Sequence, residues 1–173
     1  PSYLTGDTRR RSRITFRPSE SSIELDETDR KVLRVLSDFP TKTVADCARM
    51  TGVNASSFAY RMEQLRKQGV IHGRRYMLET PMLGISNQRL LLVDRGLTAL
   101  QRQELFDLCS GHPNVVAFLC CTGDWDFELR FESESVADID VFCQLLYDTF
   151  GNGIGSLKTI QQLRVLKQIA FPG

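Results

Sequence analysis

The order of apolar patterns along the chain predicts an α+β protein of two domains, an all-helical first half followed by a βαββαβ second half. Three observations carry this expectation. Between residues 25 and 69, apolar residues recur at helical spacing, and each run is opened by a capping residue and closed by proline or glycine. Residues 126 to 132, "DFELRFE", alternate strictly, with Phe127, Leu129 and Phe131 on one face and Glu128, Arg130 and Glu132 on the other. The runs flanking that strand alternate in kind, strand then helix, on both sides of it.

The 173 residues, 42% apolar and 25% charged, have the composition of a soluble globular protein long enough to bury a real core. No run of about 18 apolar residues could span a bilayer, and the first twenty residues lack the apolar centre of a signal peptide. The expected location is the cytoplasm, with no membrane partner. Cys47, Cys109, Cys120, Cys121 and Cys143 form no C-x-x-C pair and sit mostly among apolar residues, as reduced, buried thiols do. With only His72 and His112 beside them, neither a metal site nor a cofactor is expected. The net charge of +1 hides an asymmetry: residues 1 to 80 hold 15 Lys and Arg against 10 Asp and Glu, and residues 81 to 173 hold 7 against 11. The two halves face different partners, the first weakly suited to a polyanion.

After a basic leader (1 to 24), "LDETDRKVLRVLSDFP" opens the first helix, with Asp26 as N-cap, Asp29 favouring the helix dipole, Val32, Leu33 and Leu36 as its stripe and Pro40 as its stop. Thr43 with Asp46 resembles a capping box for a short second helix whose inner face is Val44, Cys47 and Ala48 and which ends near Gly52. Asn54 caps a third helix with Phe58, Met62 and Leu65 at i, i+4 and i+7, closed by Gly69 before the β-branched pair Val70 and Ile71. Two helices joined by a tight turn and followed by a short strand form a helix-turn-helix unit with a small wing, over residues 25 to 78. In such a unit the start of the last helix enters the major groove of double-stranded DNA. Asn54, Ser56, Ser57, Tyr60, Arg61 and Gln64 are the candidate base-reading set, and Lys67, Arg74 and Arg75 the candidate phosphate contacts. Arg66 sits beside Lys67, and His72 reads as an ordinary wing-surface residue. The competing explanation is a helical bundle that touches no DNA, its serines merely capping or solvating.

Residues 79 to 87, with Pro81 and Gly84, read as a connector, and residues 88 to 173 as the second domain. Residues 89 to 93 predict a buried strand, and Thr98 with Gln101 a capping box for a helix through Cys109. Residues 114 to 122 predict a second strand and 126 to 132 a third. Ser135 caps a helix with Ile139, Phe142, Cys143, Leu146 and Phe150 on one face, and "GNGIGS" turns the chain into a last strand over 156 to 171. This is the ferredoxin-like βαββαβ arrangement, helices on one side of an antiparallel sheet. The first two strands are apolar at successive positions, which requires cover on both faces; the expected second cover is another copy, in a homodimer. "TGDWD" between the second and third strands is a hairpin turn, with Cys120 and Cys121 on opposite faces.

"LDETDRKVLRVL", "ADCARMTGVNASSFAYRMEQLRKQGVIHG" and a βαββαβ half containing "TGDWDFEL" together resemble the Lrp/AsnC (leucine-responsive, feast/famine) transcriptional regulators, over about residues 24 to 170. The resemblance implies a winged DNA-binding domain, a C-terminal domain that dimerises and often assembles into octamers, and frequently a small effector such as an amino acid bound between dimers. Carried over to this chain, the effector position falls on Thr122, Gly123, Asp124, Trp125 and Asp126. The leader is longer than usual for such proteins, and "RITFRP" (13 to 18) echoes "KQIAFPG" (167 to 173). The leader is therefore either the tail of a preceding domain in a tandem repeat or a basic arm that meets phosphate through Arg9, Arg10, Arg11 and Arg13.

The function expected is sequence-specific regulation of transcription, not catalysis. One rival is an enzyme of the same two-domain plan that decarboxylates sirohaem-type tetrapyrroles, which calls for converging basic side chains where this half offers only His112. The other is a ligand-binding or assembly module without DNA affinity. On the first expectation, Arg61→Ala weakens operator binding by about 1 to 3 kcal/mol if Arg61 makes a bidentate base contact.

Overall fold

The computed structural model describes residues 22–73, 78–166 and 171. It divides between residues 77 and 78 into a helical unit and a sheet unit.

The helical unit holds α1 (Glu27–Asp38), α2 (Val44–Thr51) and α3 (Ala55–Lys67). Each helix is started by the side chain the sequence points to. Asp26 Oδ1 accepts the Asp29 N–H at 2.7 Å, and Asp29 Oδ2 accepts the Asp26 N–H at 3.2 Å, a reciprocal capping box. Thr43 Oγ1 accepts the Asp46 N–H at 3.1 Å, but its hydroxyl donates to Asp46 Oδ2 at 2.6 Å, so the return bond goes to the hydroxyl rather than the backbone. The helices end alike. The Gly52 N–H donates to Arg49 O and the Val53 N–H to Ala48 O; the Gly69 N–H donates to Arg66 O and the Val70 N–H to Leu65 O. Both are Schellman closures, with φ of 69° at Gly52 and 76° at Gly69, conformations in which a β-carbon is penalised. Val32, Val35, Cys47, Ala48, Phe58 and Leu65 form the buried core, against which Leu33, Leu36, Val44, Met62, Val70 and Ile71 pack.

The strand expected at Val70 and Ile71 does not form. Their N–H groups both return to Leu65 O, at 2.9 and 3.1 Å, so the helix closure uses the donors that a ladder would need. The rest of the expected wing, with Arg74 and Arg75, lies outside the described residues, as does the leader through residue 21.

In the sheet unit, a 3₁₀ turn (Thr80–Leu83) leads into β1 (Ser86–Asp94), α4 (Ala99–Gly111), β2 (Val115–Cys120), β3 (Phe127–Ser133), α5 (Ala137–Phe150) and β4 (Ile154–Gln161). Thr80 is buried and its Oγ1 accepts from Asn87 Nδ2 at 2.9 Å, so the connector is itself folded. The sheet order is β2-β3-β1-β4 with every neighbouring pair antiparallel, the ferredoxin-like arrangement expected. The last strand begins two residues earlier than the sequence suggests and stops at Gln161. The Thr98 and Gln101 capping box forms in both directions; the N-cap of α5 is Val136 rather than the expected Ser135, whose hydroxyl still accepts the Ala137 N–H at 3.2 Å.

Alternation decides the two faces of the sheet. Leu90 and Leu92 of β1 and Leu129 and Phe131 of β3 share a core with Leu105 and Cys109 of α4 and with Ile139, Phe142, Leu146 and Phe150 of α5. On the opposite face, Leu91 stands across from Glu128 and Arg89 across from Arg130. Glu128 Oε1 lies 3.4 Å from Arg89 Nη1 and 3.6 Å from Arg130 Nε, a row of charge across the two central strands.

Trp125 is the only tryptophan and belongs to the sheet unit, so its fluorescence reports that unit alone. Gly69→Ala, forced into the left-handed region, is expected to destabilise the helical unit by about 1 to 2 kcal/mol. In urea titration the far-ultraviolet circular dichroism transition should move to lower denaturant while the Trp125 transition stays in place. A joint shift of both signals would contradict independent units.

Candidate nucleic-acid interface

The link between α2 and α3 is three residues, Gly52, Val53 and Asn54, and it determines what α3 presents. Gly52 ends one helix and Asn54 starts the next: Asn54 Oδ1 accepts the Ser56 N–H at 2.9 Å and the Ser56 hydroxyl at 2.6 Å. Phe58 and Leu65 are drawn into the core, which turns the opposite side of α3 outward. Asn54, Ser56 and Ser57 are exposed, and Tyr60 is 62% exposed with its phenol free to reach outward. No acidic side chain occupies the first turn of α3, so its positive dipole end carries only amide and hydroxyl groups. Asn54, Ser56, Ser57, Tyr60 and Arg61 line one open groove with Thr28 and Val53. Gln64, half-buried, and Lys67, exposed, follow further along the helix and do not line it. Thr28 was invisible to sequence reasoning because only the packing of α1 against α3 brings it there.

Arg61 is engaged inside the unit. Its Nη1 lies 2.6 Å from Asp26 Oδ2 and 3.3 Å from Asp29 Oδ1. The N–H from Asp29, then the Arg61 charge, hold the Asp26 carboxyl below its ordinary value, and the Asp26 charge chiefly raises Arg61. Arg66 pairs with Glu63 at 3.0 Å. His72 is exposed and has interactions of its own.

The second candidate region is the turn between β2 and β3. The Cys121 N–H donates to Asp126 O at 2.7 Å, closing the hairpin, and Gly123 takes φ 139° within it. Thr122, Gly123 and Asp124 are exposed. The Trp125 ring is half-buried, and its enclosed indole N–H meets no acceptor among the described residues. Asp126 ties the turn to the end of β1: its N–H donates to Leu92 O at 3.0 Å and its Oδ2 accepts the Asp94 N–H at 2.7 Å. Asp94 then opens the loop to α4, accepting the Gly96 and Leu97 N–H groups at 2.8 and 2.7 Å and the Arg102 Nε–H at 2.7 Å. Burial opposes ionisation of Asp94, but these donors outweigh it and keep its carboxyl below the usual value. Among the described residues no cluster of metal-ligating side chains forms.

His112 ends α4 and packs its ring 4.5 Å from Phe142 and 5.6 Å from Phe131, with Nδ1 accepting the Asn114 N–H at 3.3 Å. Burial lowers its pKa, and the Asp138 charge opposes that only in part. A ring held neutral in an aromatic slot is a structural group, unsuited to converge with other bases on a carboxylated substrate.

A solvent-exposed helix start presented by a helix-turn-helix, joined to a βαββαβ domain, defines a DNA-binding protein of the two-domain regulator class. Residues 25–72 match the family described as "Winged helix-turn-helix DNA-binding". The chain is 24% identical to the HTH-type transcriptional regulator FL11 of Pyrococcus horikoshii, covering 72% of this chain and 81% of that protein. It is 27% identical to the leucine-responsive regulatory protein of Rhizobium meliloti, covering 84% and 93%. Among solved structures, an AsnC family transcriptional regulator from Agrobacterium tumefaciens shares the fold at a TM-score of 0.70 and 23% identity, covering 84% of this chain and 95% of that one. A transcriptional regulator of Neisseria meningitidis in complex with L-Met does so at 0.69 and 18%, covering 86% and 96%. The chain is thus similar over most of its length to Lrp/AsnC-type regulators of transcription. These relatives are named as regulators of transcription, which favours that reading over the tetrapyrrole decarboxylase alternative.

Two outcomes follow from the geometry. Asp126→Ala removes the acceptor of the Asp94 N–H and is expected to cost about 1 to 3 kcal/mol in the Trp125 unfolding transition, whereas exposed Asp124→Ala stays within about 0.5 kcal/mol. His112 has its pKa lowered from the ordinary 6.5, so the unfolded chain binds the proton more readily. Its contribution is therefore complete above about pH 6.5 and lost as pH falls through that value toward the lowered folded one. Sheet-unit stability should decline from pH 7 to 5, and His112→Phe should flatten that decline; an unchanged slope would remove His112 as its source.

Proposed function

We propose that this protein is a sequence-specific DNA-binding regulator that acts as a homodimer in the cytoplasm and senses a small molecule, an amino acid being the leading class. The observation that carries the DNA reading is the outward face of α3, where Asn54, Ser56, Ser57 and Tyr60 stand exposed beside a helix start free of acidic residues. Hydroxyls and amides of that kind match base edges in the major groove. Gln64 extends the reading face, and Lys67, Arg74 and Arg75 are the proposed phosphate contacts, which position the helix without reading sequence.

Dimerisation is supported by the sheet face away from the helices. Leu91 lies on it at the centre, and Leu119 and Ile160 are 37% and 48% exposed toward its edges. Leu91 is already buried within the chain, so the apolar surface left for a second copy to cover is that of Leu119 and Ile160. Two copies joined through it would carry two reading helices to a near-palindromic site. Further assembly of dimers is part of the same proposal.

The effector reading rests on the hairpin turn. Thr122, Gly123, Asp124 and Trp125 are the proposed contacts, with Asp126 bracing the turn through one oxygen and keeping the other for a ligand. The Trp125 N–H, which meets no acceptor among the described residues, supports this, because enclosed donors are normally paired. The L-Met complex of the Neisseria meningitidis neighbour favours an amino acid as the ligand class.

Selection of bound duplexes from a random pool, with and without a panel of amino acids, tests the whole reading. The expected result is one enriched, roughly symmetric sequence whose binding is changed by one or a few amino acids. Tyr60→Ala should weaken that binding about 5- to 100-fold. A chain that dimerises but enriches no sequence is an assembly module instead.

A further inference from the structure

We propose that Arg61, although it lies on the reading helix, is a positioning residue that locks α3 to the first turn of α1 and makes no contact with bases. The inference rests on α3 being the reading helix and concerns how that helix is aimed.

Asp26 and Asp29 each divide their two carboxylate oxygens between the backbone and Arg61. Asp26 uses Oδ1 for the Asp29 N–H and Oδ2 for Arg61; Asp29 uses Oδ2 for the Asp26 N–H and Oδ1 for Arg61. The capping box of α1 and the ion pair to α3 are thus one structure, and neither carboxylate can turn toward Arg61 or away from it without loosening a helix cap. The Asp29 side chain is 13% exposed, so withdrawing Arg61 would leave a nearly buried carboxylate without its cation. An arginine moved into a DNA groove would also leave the two carboxylates it pairs with uncompensated beside a polyanion. Both consequences oppose release. What the clamp does for function is angular. It fixes the middle of α3 against the start of α1, and so sets the direction in which Ser57 and Tyr60, one turn or less away, leave the helix.

Substitution by asparagine separates charge from capping, because asparagine caps as well as aspartate does. The test uses the full chain and the duplex enriched by selection, at a temperature where circular dichroism shows the helical unit folded. Arg61→Met and the double variant Asp26→Asn/Asp29→Asn should each weaken binding about tenfold, and their combination should be little worse than either, the signature of one shared interaction. Arg61→Lys, which can still pair with Asp26, should recover most of the affinity. Repeated selection with Arg61→Met should enrich the same sequence as the wild type, and the dependence of affinity on salt should keep its slope. Relaxed preference at one base position, or a slope reduced by about one phosphate contact, would overturn the proposal and return Arg61 to the DNA contacts. So would a double asparagine variant that binds as tightly as the wild type or more so. A wild-type chain that enriches no duplex overturns the regulator reading itself, a result distinct from an altered Arg61→Met specificity.

Discussion

Three residues between α2 and α3 govern the helical unit, because a link that short must satisfy the ends of two helices at once. Gly52 takes the left-handed conformation that lets the N–H groups of residues 52 and 53 cap the carbonyls of α2, and one residue later Asn54 accepts the Ser56 N–H in the first turn of α3. Val53, between them, packs on the core and serves the Schellman contact. With no slack in the link, the burial of Phe58 and Leu65 leaves α3 one orientation about its axis. That orientation makes Ser57 and Tyr60 outward residues, so the chemistry of the reading face is a consequence of the turn.

The sheet unit is organised by a comparable shortage, of faces rather than of residues. Two helices cover one side of four strands, and the central strand β1 is apolar on both sides, Leu90 and Leu92 inward and Leu91 outward. On the outward side the neighbours of Leu91 are charged, Arg89, Glu128 and Arg130, with Glu128 Oε1 enclosed between two guanidinium groups that hold it at 3.4 and 3.6 Å without an aligned hydrogen bond. A face with an apolar centre and an incompletely satisfied charge row suits association with a specific, charge-matched partner better than indiscriminate sticking. The β2–β3 turn stands at the edge of this sheet and is tied to its central strand through Asp126 and Asp94, so a ligand at the turn would act on the end of β1 directly.

The features legible in the sequence are those whose partners lie within four positions. The Asp26 N-cap, the Thr98–Gln101 capping box, the glycine closures at 52 and 69 and the alternation of β3 are local, and each stands where the residues suggest it. What escaped is long-range. Arg61 and Asp29 are 32 positions apart, as are Asp94 and Asp126, and no pattern in a window of ten residues connects them. The strand expected at Val70 and Ile71 fell to a different competitor: β-branched residues favour strands, but here the helix closure takes their N–H groups first. The candidate site was therefore legible as a set of residues and not as a division of labour. The sequence shows Tyr60 and Arg61 side by side; only the fold separates an exposed phenol from a guanidinium already occupied.

That separation changes the electrostatic account of DNA binding. Residues 22 to 73 carry eight Lys and Arg against seven Asp and Glu. Four of the eight cations, Lys31, Arg49, Arg61 and Arg66, already face carboxylates of their own unit. A helix-turn-helix so nearly neutral exerts little long-range pull on a polyanion, and on the proposed function α3 would meet the duplex mainly through uncharged donors and acceptors, with Lys67 at its end. Further positive charge of the first half lies elsewhere in the sequence, at Arg74 and Arg75 and in the five arginines of residues 9 to 17. On the proposed function, capture and reading fall to different segments: basic residues flanking the unit would draw in any duplex, and the polar face of α3, aimed by the Arg61 clamp, would distinguish one duplex from another.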